Sequence, residues 1–404
     1  NCFIYKTIKM EVITMKKAVS LTLAAVLAAG CFAGCGDKNT NEGGNGTQGD
    51  ANTLVLGGIG PLTGAAATYG TAVRNGAQLA VDEINAAGGV NGIKFELKFQ
   101  DDEHDAEKAV NAYNTLKDQI KVLIGTVTSN PCVAVSSKTA ADNMFMITPS
   151  GSSAECIKND NAFRICFSDP EQGAKSAQYI SENNIASKVA VIYNSSDVYS
   201  QGIYETFSAE AQKRNLEIVD AEAFTKDSAT DFTVQLQKIK DSGAELIFLP
   251  IYYQEAALIL TQANKAGINA KFFGCDGLDG VIDQLGADVA LANGVMLLTP
   301  FAADAKDQKT VDFTAAYKAA YNGEIPNQFA ADGYDAVYAV KAAMEKAGIT
   351  DASISVSDLC EALKKAMTEI TVEGVTGTMT WDETGAPTKD PKAMVIEDGA
   401  YKAM

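Results

Sequence analysis

From Thr53 onward, short apolar runs alternate with longer amphipathic stretches, and this alternation limits the fold more tightly than any single residue does. Residues 53–59 read as a strand. The stripe Val73, Ala77, Ala80, Val81 and Ile84 has helical spacing and is stopped by Gly88-Gly89. Phe95, Leu97 and Phe99 alternate as a half-buried strand, followed by a helix at 106–116, a strand at 121–125, a helix at 133–142 and a strand at 145–148. The rhythm restarts with a strand at 188–193. It runs on through strands at 217–223, 246–250 and 271–274 and helices at 232–242 and 254–266. Strands separated by helices of this length predict an α/β fold of doubly wound parallel sheets, with helices on both faces. Two series interrupted near 165–169 predict two similar lobes. Further helices at 310–321, 331–347 and 357–367 and a strand-rich tail at 376–404 exceed what two simple lobes need, so the lobes are expected to exchange segments.

The first 52 residues read differently. Met15-Lys16-Lys17 is a short basic start, and residues 18–29 form an uncharged apolar run, too short for a membrane span of about 20 residues. Two sites of small residues before a cysteine follow, Ala29-Gly30-Cys31 and Ala33-Gly34-Cys35, as in a signal peptide whose processed cysteine carries lipid. Cys35 is preferred over Cys31 because a Gly- and Asn-rich stretch, unable to bury a core, begins at Gly36. Residues 1–34 are thus read as an upstream extension with a lipoprotein signal peptide, and 35–52 as a disordered tether. Five further thiols lie downstream. Cys156 and Cys166 flank the turn-rich 158–161 and could close a small loop as a disulfide; buried free thiols are the other reading.

Charge and motifs exclude several functions. A net charge of −18 repels a phosphate backbone, so no nucleic-acid partner is expected. Gly58-Ile59-Gly60 continues as Pro-Leu-Thr-Gly and misses the dinucleotide fingerprint; no Walker lysine, Gly-x-Ser-x-Gly elbow or Cys-x-x-Cys pair occurs. The single histidine, His104, lies in the charged run Asp101-Asp102-Glu103-His104-Asp105 and reads as a solvated surface residue. No enzyme activity, cofactor or metal is expected.

Ligands of open parallel sheets bind beyond the carboxyl ends of the strands. In the first series those ends carry Gly60-Pro61-Leu62-Thr63-Gly64 with Thr68-Tyr69-Gly70, then Thr126-Val127-Thr128-Ser129-Asn130 before a helix, and Thr148-Pro149-Ser150-Gly151-Ser152. In the second they carry residues 194–199, Ile251-Tyr252-Tyr253 and Cys275-Asp276-Gly277. One lobe offers hydroxyls and amides at a helix start, which suit a carboxylate. The other offers an acid and aromatic rings. Together they describe a receptor for a zwitterion, against the alternative in which the serines cap helices and Asp276 belongs to a turn.

GPLTGAAATYG, NGAQLAVDEINAAGGVNG, KFQDDEHDAEKAV, VLIGTVTS, MITPSGSS, FRICFSDPEQG, NSSDVYSQG and MTWDETG resemble the branched-chain amino-acid-binding proteins of ABC importers, with the type I periplasmic-binding fold, over residues 53–404. The resemblance implies two lobes joined by three crossovers, lobe 1 at 53–168 plus 300–379 and lobe 2 at 169–299 plus 380–404. It implies an amino-acid ligand and a permease partner; the signal peptide predicts an extracytoplasmic location, lipid-anchored at the membrane's outer face, and a monomer is expected. By the same resemblance Ser129 binds the ligand carboxylate. At Ser150, Gly151 and Ser152 a carbonyl and a hydroxyl hold the ammonium and an amide holds the carboxylate. Tyr69 covers the ligand, Tyr199 and Tyr252 approach from lobe 2, Asp276 takes the ammonium and Phe329 walls the side-chain pocket. Two departures stand out. The family's best-known members have Glu at Asp276, and a disulfide where this chain has His104 and Thr128, so that disulfide is expected to be absent. A sensory receptor with the same lobes, or capture of another small carboxylate or amide, is the alternative reading.

Overall fold

The computed structural model describes residues 52–404. The calls on the signal peptide, on Cys31 and Cys35 and on nearly all of the tether lie outside the described residues. The chain runs β1 (Thr53–Gly60), α1 (Ala67–Ala86), β2 (Lys94–Asp101), α2 (Ala106–Leu116), β3 (Val122–Gly125), α3 (Ser129–Ala141), β4 (Met146–Thr148) and β5 (Ala162–Arg164). These five strands form one all-parallel sheet in the order β2-β1-β3-β4-β5. Next come α4 (Asp169–Glu182), β6 (Lys188–Asn194), α5 (Val198–Lys213), β7 (Glu217–Phe224), α6 (Thr233–Ser242), β8 (Leu246–Leu249), α7 (Tyr253–Lys265), β9 (Lys271–Gly274), α8 (Val281–Leu285) and β10 (Met296–Thr299). After α9 (Gln308–Ala320), the helices α10 (Gln328–Ala347) and α11 (Val356–Met367) and the hairpin β11 (Val372–Gly374)–β12 (Gly377–Met379) return to the first sheet. Finally β13 (Lys392–Glu397) and β14 (Ala400–Ala403) close the second sheet, ordered β14-β13-β10-β9-β8-β6-β7. That sheet is parallel apart from the antiparallel pairs β10–β13 and β13–β14. The chain therefore passes between the two sheets after β5, after β10 and after β12. The type I periplasmic-binding fold is the result.

Central strands covered by helices on both faces should read as continuous apolar runs. They do: every residue of β3, β8 and β10 is buried. The return of α10 to the first sheet depends on two glycines where it crosses α1. A Cβ on Gly76 would stand 1.9 Å from the Ala330 carbonyl oxygen, and one on Gly333 would stand 2.4 Å from that of Val73. The two backbones touch, and the N-terminus of α10 is thereby carried to the strand ends.

Two expectations need correction, and one open reading is decided. The helices α4 and α5 and the strands β5 and β10 are additional to the sequence reading, and α3 starts at Ser129 rather than near residue 133. Cys156 and Cys166 are both free and buried. The Cys156 thiol faces α3, 3.8 Å from the Ser129 carbonyl oxygen and within reach of the Cys132 thiol, while the backbone of Cys166 is bonded to Pro149. His104 is not a solvated surface residue. Its Nδ1 lies 2.8 Å from Thr128 Oγ1, and its Nε2 lies 3.9 Å from Asp197 Oδ2, on the second sheet's side of the cleft. A histidine–threonine contact thus occupies the position at which the resemblance led us to expect no disulfide.

Candidate functional site

The site begins with loops that leave the strand ends in fixed shapes. Asp101, at the end of β2, accepts from the Leu62 N–H (2.8 Å) and the Thr63 hydroxyl (2.6 Å) and so holds the Gly60–Gly64 turn that leads into Tyr69. The loops after β3 and β4 are tied together: Thr148 Oγ1 donates to the Thr126 carbonyl (2.6 Å) and Ser150 Oγ to the Val127 carbonyl (2.7 Å). Ser129 is the first residue of α3, so its side chain and the free N–H groups of that helix terminus lie together. Its Oγ accepts from the Ser153 N–H at 3.3 Å.

Across the cleft, Asp276 follows β9 and is 4% exposed. Tyr199 Oη donates to its Oδ1 (2.8 Å) and Gln172 Nε2 to its Oδ2 (3.2 Å). Gln172 Oε1 accepts from the Asp276 N–H (3.3 Å), and Gln328 Nε2 donates to the Asp276 carbonyl (2.8 Å). The carboxylate is therefore fixed from α4 and α5, and the backbone behind it from α10. Burial pushes its pKa up to about 7; the hydrogen bonds from Tyr199, the Gly277 N–H and Gln172 draw it down, and Asp279 adds to the rise. Among the described residues no cationic side chain pairs with it, and burial without one is what raises an acid in this way.

The two halves meet. Tyr69 Oη, from the first sheet's α1, donates to the Gly277 carbonyl (2.5 Å) and accepts from the Tyr253 N–H (3.1 Å). Its ring stacks on Phe329 at 4.1 Å and meets Tyr252 edge-on at 5.6 Å; Tyr199 stacks on Tyr252 at 4.9 Å. Tyr69, Ser129, Ser150, Ser152, Tyr199, Tyr252, Asp276 and Phe329 all line one cavity. Gly151 does not: its N–H donates to Thr148 Oγ1 (2.8 Å), and a Cβ there would meet Cys132 Sγ at 2.8 Å. Its place is in the packing beneath the loop. Sequence reasoning missed Gln172 and Gln328; Val127, Thr128 and Gly277, which also line the cavity, stood in its strand-end segments without being singled out. Gln172 stood in the FRICFSDPEQG segment, but nothing in its spacing links it to Asp276, 104 residues away.

The cavity measures about 10 Å³, the scale of a single water. A second cavity of about 80 Å³ lies on the other side of Tyr252, bounded by His104, Asn130, Asp197, Lys226 and Glu255. A hydroxyl-lined wall, a carboxylate paired with no cationic side chain among the described residues and an aromatic enclosure can hold a small zwitterion once the rings move apart. Among the described residues no cluster of histidine, cysteine or acidic side chains could hold a metal ion.

Comparison with known proteins places this geometry. The profile of the family described as periplasmic binding protein matches residues 53–400. The Leu/Ile/Val-binding protein homolog 3 of Brucella melitensis is 33% identical over 337 residues, 82% of this chain and 88% of that protein. The leucine-, isoleucine-, valine-, threonine- and alanine-binding protein of Pseudomonas aeruginosa is 29% identical, over 83% and 87%. Among solved structures, the branched-chain amino acid transporter substrate-binding protein LivJ of Streptococcus pneumoniae, in complex with isoleucine, superposes with a TM-score of 0.78. It is 30% identical and covers 87% of this chain and 98% of its own.

Proposed function

The chain belongs to the periplasmic binding protein family of ABC importers, a family of binding proteins rather than enzymes, and from that premise we propose that it captures an α-amino acid of the branched-chain type in the cleft between its sheets and delivers it to an ABC permease. The observation that carries this reading is the buried Asp276, paired with no cationic side chain among the described residues and facing the Ser129 and Ser152 hydroxyls across a cavity walled by Tyr69, Tyr199, Tyr252 and Phe329. The ligand ammonium supplies the charge that Asp276 lacks. The Ser129 hydroxyl, with the amides at the start of α3, supplies donors for the carboxylate. The apolar side chain lies against the rings, and a swing of the Tyr252 ring joins the two cavities to make room for it.

Capture is by hinge closure. The three passages between the sheets form the hinge, and the Tyr69–Gly277 and Tyr69–Tyr253 bonds lie among the contacts made on closing. The protein works as a monomer on the outer face of the membrane, held by lipid on Cys35 and spaced from it by the tether. A thermal-shift screen of the protein lacking its signal peptide against the common L-amino acids tests the reading. A rise of the melting midpoint with leucine, isoleucine or valine supports it, and no rise with any amino acid overturns it.

A further inference from the structure

The fold sorts the five described thiols into different surroundings. Cys275 packs on the second sheet with its Sγ 3.5 Å from Ser176 Oγ, and Cys360 packs where α11 returns to the first sheet. The Cys166 N–H donates to the Pro149 carbonyl at 3.1 Å. Cys132 and Cys156 are the two that share one apolar cluster, with Val135, Met146 and Ile157, and both are fully buried. Cys132 is in the first turn of α3, just after Ser129, and Cys156 is in the 3-10 turn Ala154–Ile157, just after Ser153. The Cys156 Sγ faces the Ser129 carbonyl oxygen at 3.8 Å, at the turn of α3 that carries Cys132, and the two thiols are in reach of each other. Gly151 makes the room. A Cβ there would stand 2.8 Å from Cys132 Sγ and 3.0 Å from Cys132 Cβ, so a side chain at this position would drive the sulfur away.

We propose that Cys132 and Cys156 are a dithiol that is oxidised to a disulfide outside the cell, tying the start of α3 to the loop that follows β4. The proposal concerns neither the ligand nor its contacts. It rests on the extracytoplasmic location given above, because disulfides persist outside the cell and thiols inside it. In the folded protein burial pushes the Cys132 thiol up, but hydrogen bonds with Cys156, Thr126 and Thr148 outweigh it and hold the thiol below its ordinary range. Burial and the neighbouring Cys132 hold Cys156 well above its own. Cys132 is therefore the better nucleophile of the pair. The oxidant is a disulfide, carried by an exported oxidoreductase or by a small molecule. Cys132 loses its proton and attacks one sulfur of that disulfide; the other sulfur leaves and takes up a proton as a thiol. Cys156 then loses its proton, attacks the Cys132 sulfur and displaces the second oxidant thiol. Two electrons and two protons pass from the pair to the oxidant, which ends as two thiols. Both sulfurs are buried in the finished fold, so the exchange precedes closure of this core, and the bond is afterwards sealed from reductants. The segments it joins carry Ser129 and Ser152, which line the cavity.

The test uses the full chain expressed with its signal peptide in a bacterial host. Protein from the outer face of the membrane is unfolded in acid with an alkylating agent and no reductant, then digested and mapped by mass spectrometry. The expected result is one joined pair of peptides, Cys132 with Cys156, lighter by two hydrogens than the separate peptides, with the alkyl label on Cys166, Cys275 and Cys360. Label on Cys132 and Cys156 in exported protein, or either joined to another cysteine, overturns the proposal and leaves amino-acid binding untouched. Protein found only inside the cell, with all of these thiols labelled, overturns the location and the proposal together. A second measurement needs no variant. Wild type reduced with dithiothreitol while unfolded, and refolded in it, should melt about 5 °C below the oxidised form. Cys156→Ala should melt at one temperature with or without dithiothreitol. Equal midpoints for reduced and oxidised wild type overturn the bracing of α3 to the loop.

Discussion

Replacing Asp276 with asparagine separates its charge from its shape. The side chain keeps its volume and can still accept from Tyr199, so the loop after β9 should hold its form. In the wild type without ligand the carboxyl titrates at about 7. With the ammonium against it, the ionised form is favoured and the pKa falls. The complex therefore binds fewer protons than the free protein, and affinity is lost as the pH falls through 7. With a midpoint at 7 the ionised fraction drops about tenfold between pH 8 and pH 6, which is ~1.4 kcal/mol of binding free energy. Removing one partner of a buried charge pair costs roughly 2–5 kcal/mol, so Asp276→Asn should bind at least about thirtyfold more weakly at pH 8. Its pH dependence should lack the tenfold step.

Stability moves the other way. An aspartate with an ordinary pKa of 3.8 when unfolded and about 7 when folded makes the folded state bind more protons between those values. Stability then falls as the pH rises across that window and is lowest above 7. The shift of about 3 units corresponds to ~4 kcal/mol at most. Asparagine does not bear that cost, so Asp276→Asn without ligand should melt at a higher temperature than wild type at pH 8, with the gap closing toward pH 5. Calorimetry for affinity and scanning calorimetry for the midpoint, each at pH 5, 6, 7 and 8, read both effects. A variant that binds as tightly as wild type, or one that binds weakly but keeps the tenfold step, refutes the assignment of Asp276 to the ammonium.

Tyr69→Phe removes the hydroxyl that links Gly277 and Tyr253 while keeping the ring on Phe329, so affinity should fall by about 1–3 kcal/mol with a smaller change than Asp276→Ala produces; titration calorimetry on both compares them. Gly333→Ala places a Cβ 2.4 Å from the Val73 carbonyl oxygen, forces α1 and α10 apart and should destabilise the fold by about 1–3 kcal/mol in a denaturant titration. Cys35→Ala should release the exported protein into the medium, and mass spectrometry of the wild type should find lipid on Cys35; lipid on Cys31 refutes the assignment.

What the sequence revealed and what it hid have separate physical causes. Strands β3 and β8 were legible because the core of a parallel sheet is written as continuous apolar runs, and 122–125 and 246–249 fall within the runs read from the sequence; β10, just as buried, was not read. Helix α4 was not, because its buried face is built from small and polar residues: a Cβ on Gly173 would stand 2.4 Å from the Ile203 carbonyl oxygen of α5, and Gln172 and Ser176 are buried beside it. A helix that packs by close approach carries a weak apolar stripe. The lining of the site followed from a strand-end rule together with the family resemblance, both of which concern positions on a topology. The partners that give those positions their chemistry follow from neither. Gln172 fixes Asp276, and Asp169 meets Ser152, only because the chain crosses between the sheets immediately after β5 and begins a helix there. That crossing sets two acids, Asp169 and Asp276, behind one pocket, where burial raises the pKa of each and Asp276 raises that of Asp169 further. A pocket that holds unneutralised acid when free is less stable for it, and an ammonium recovers that stability on binding. The tightness of capture is thus set by how strained the free pocket is, as much as by the contacts made to the ligand.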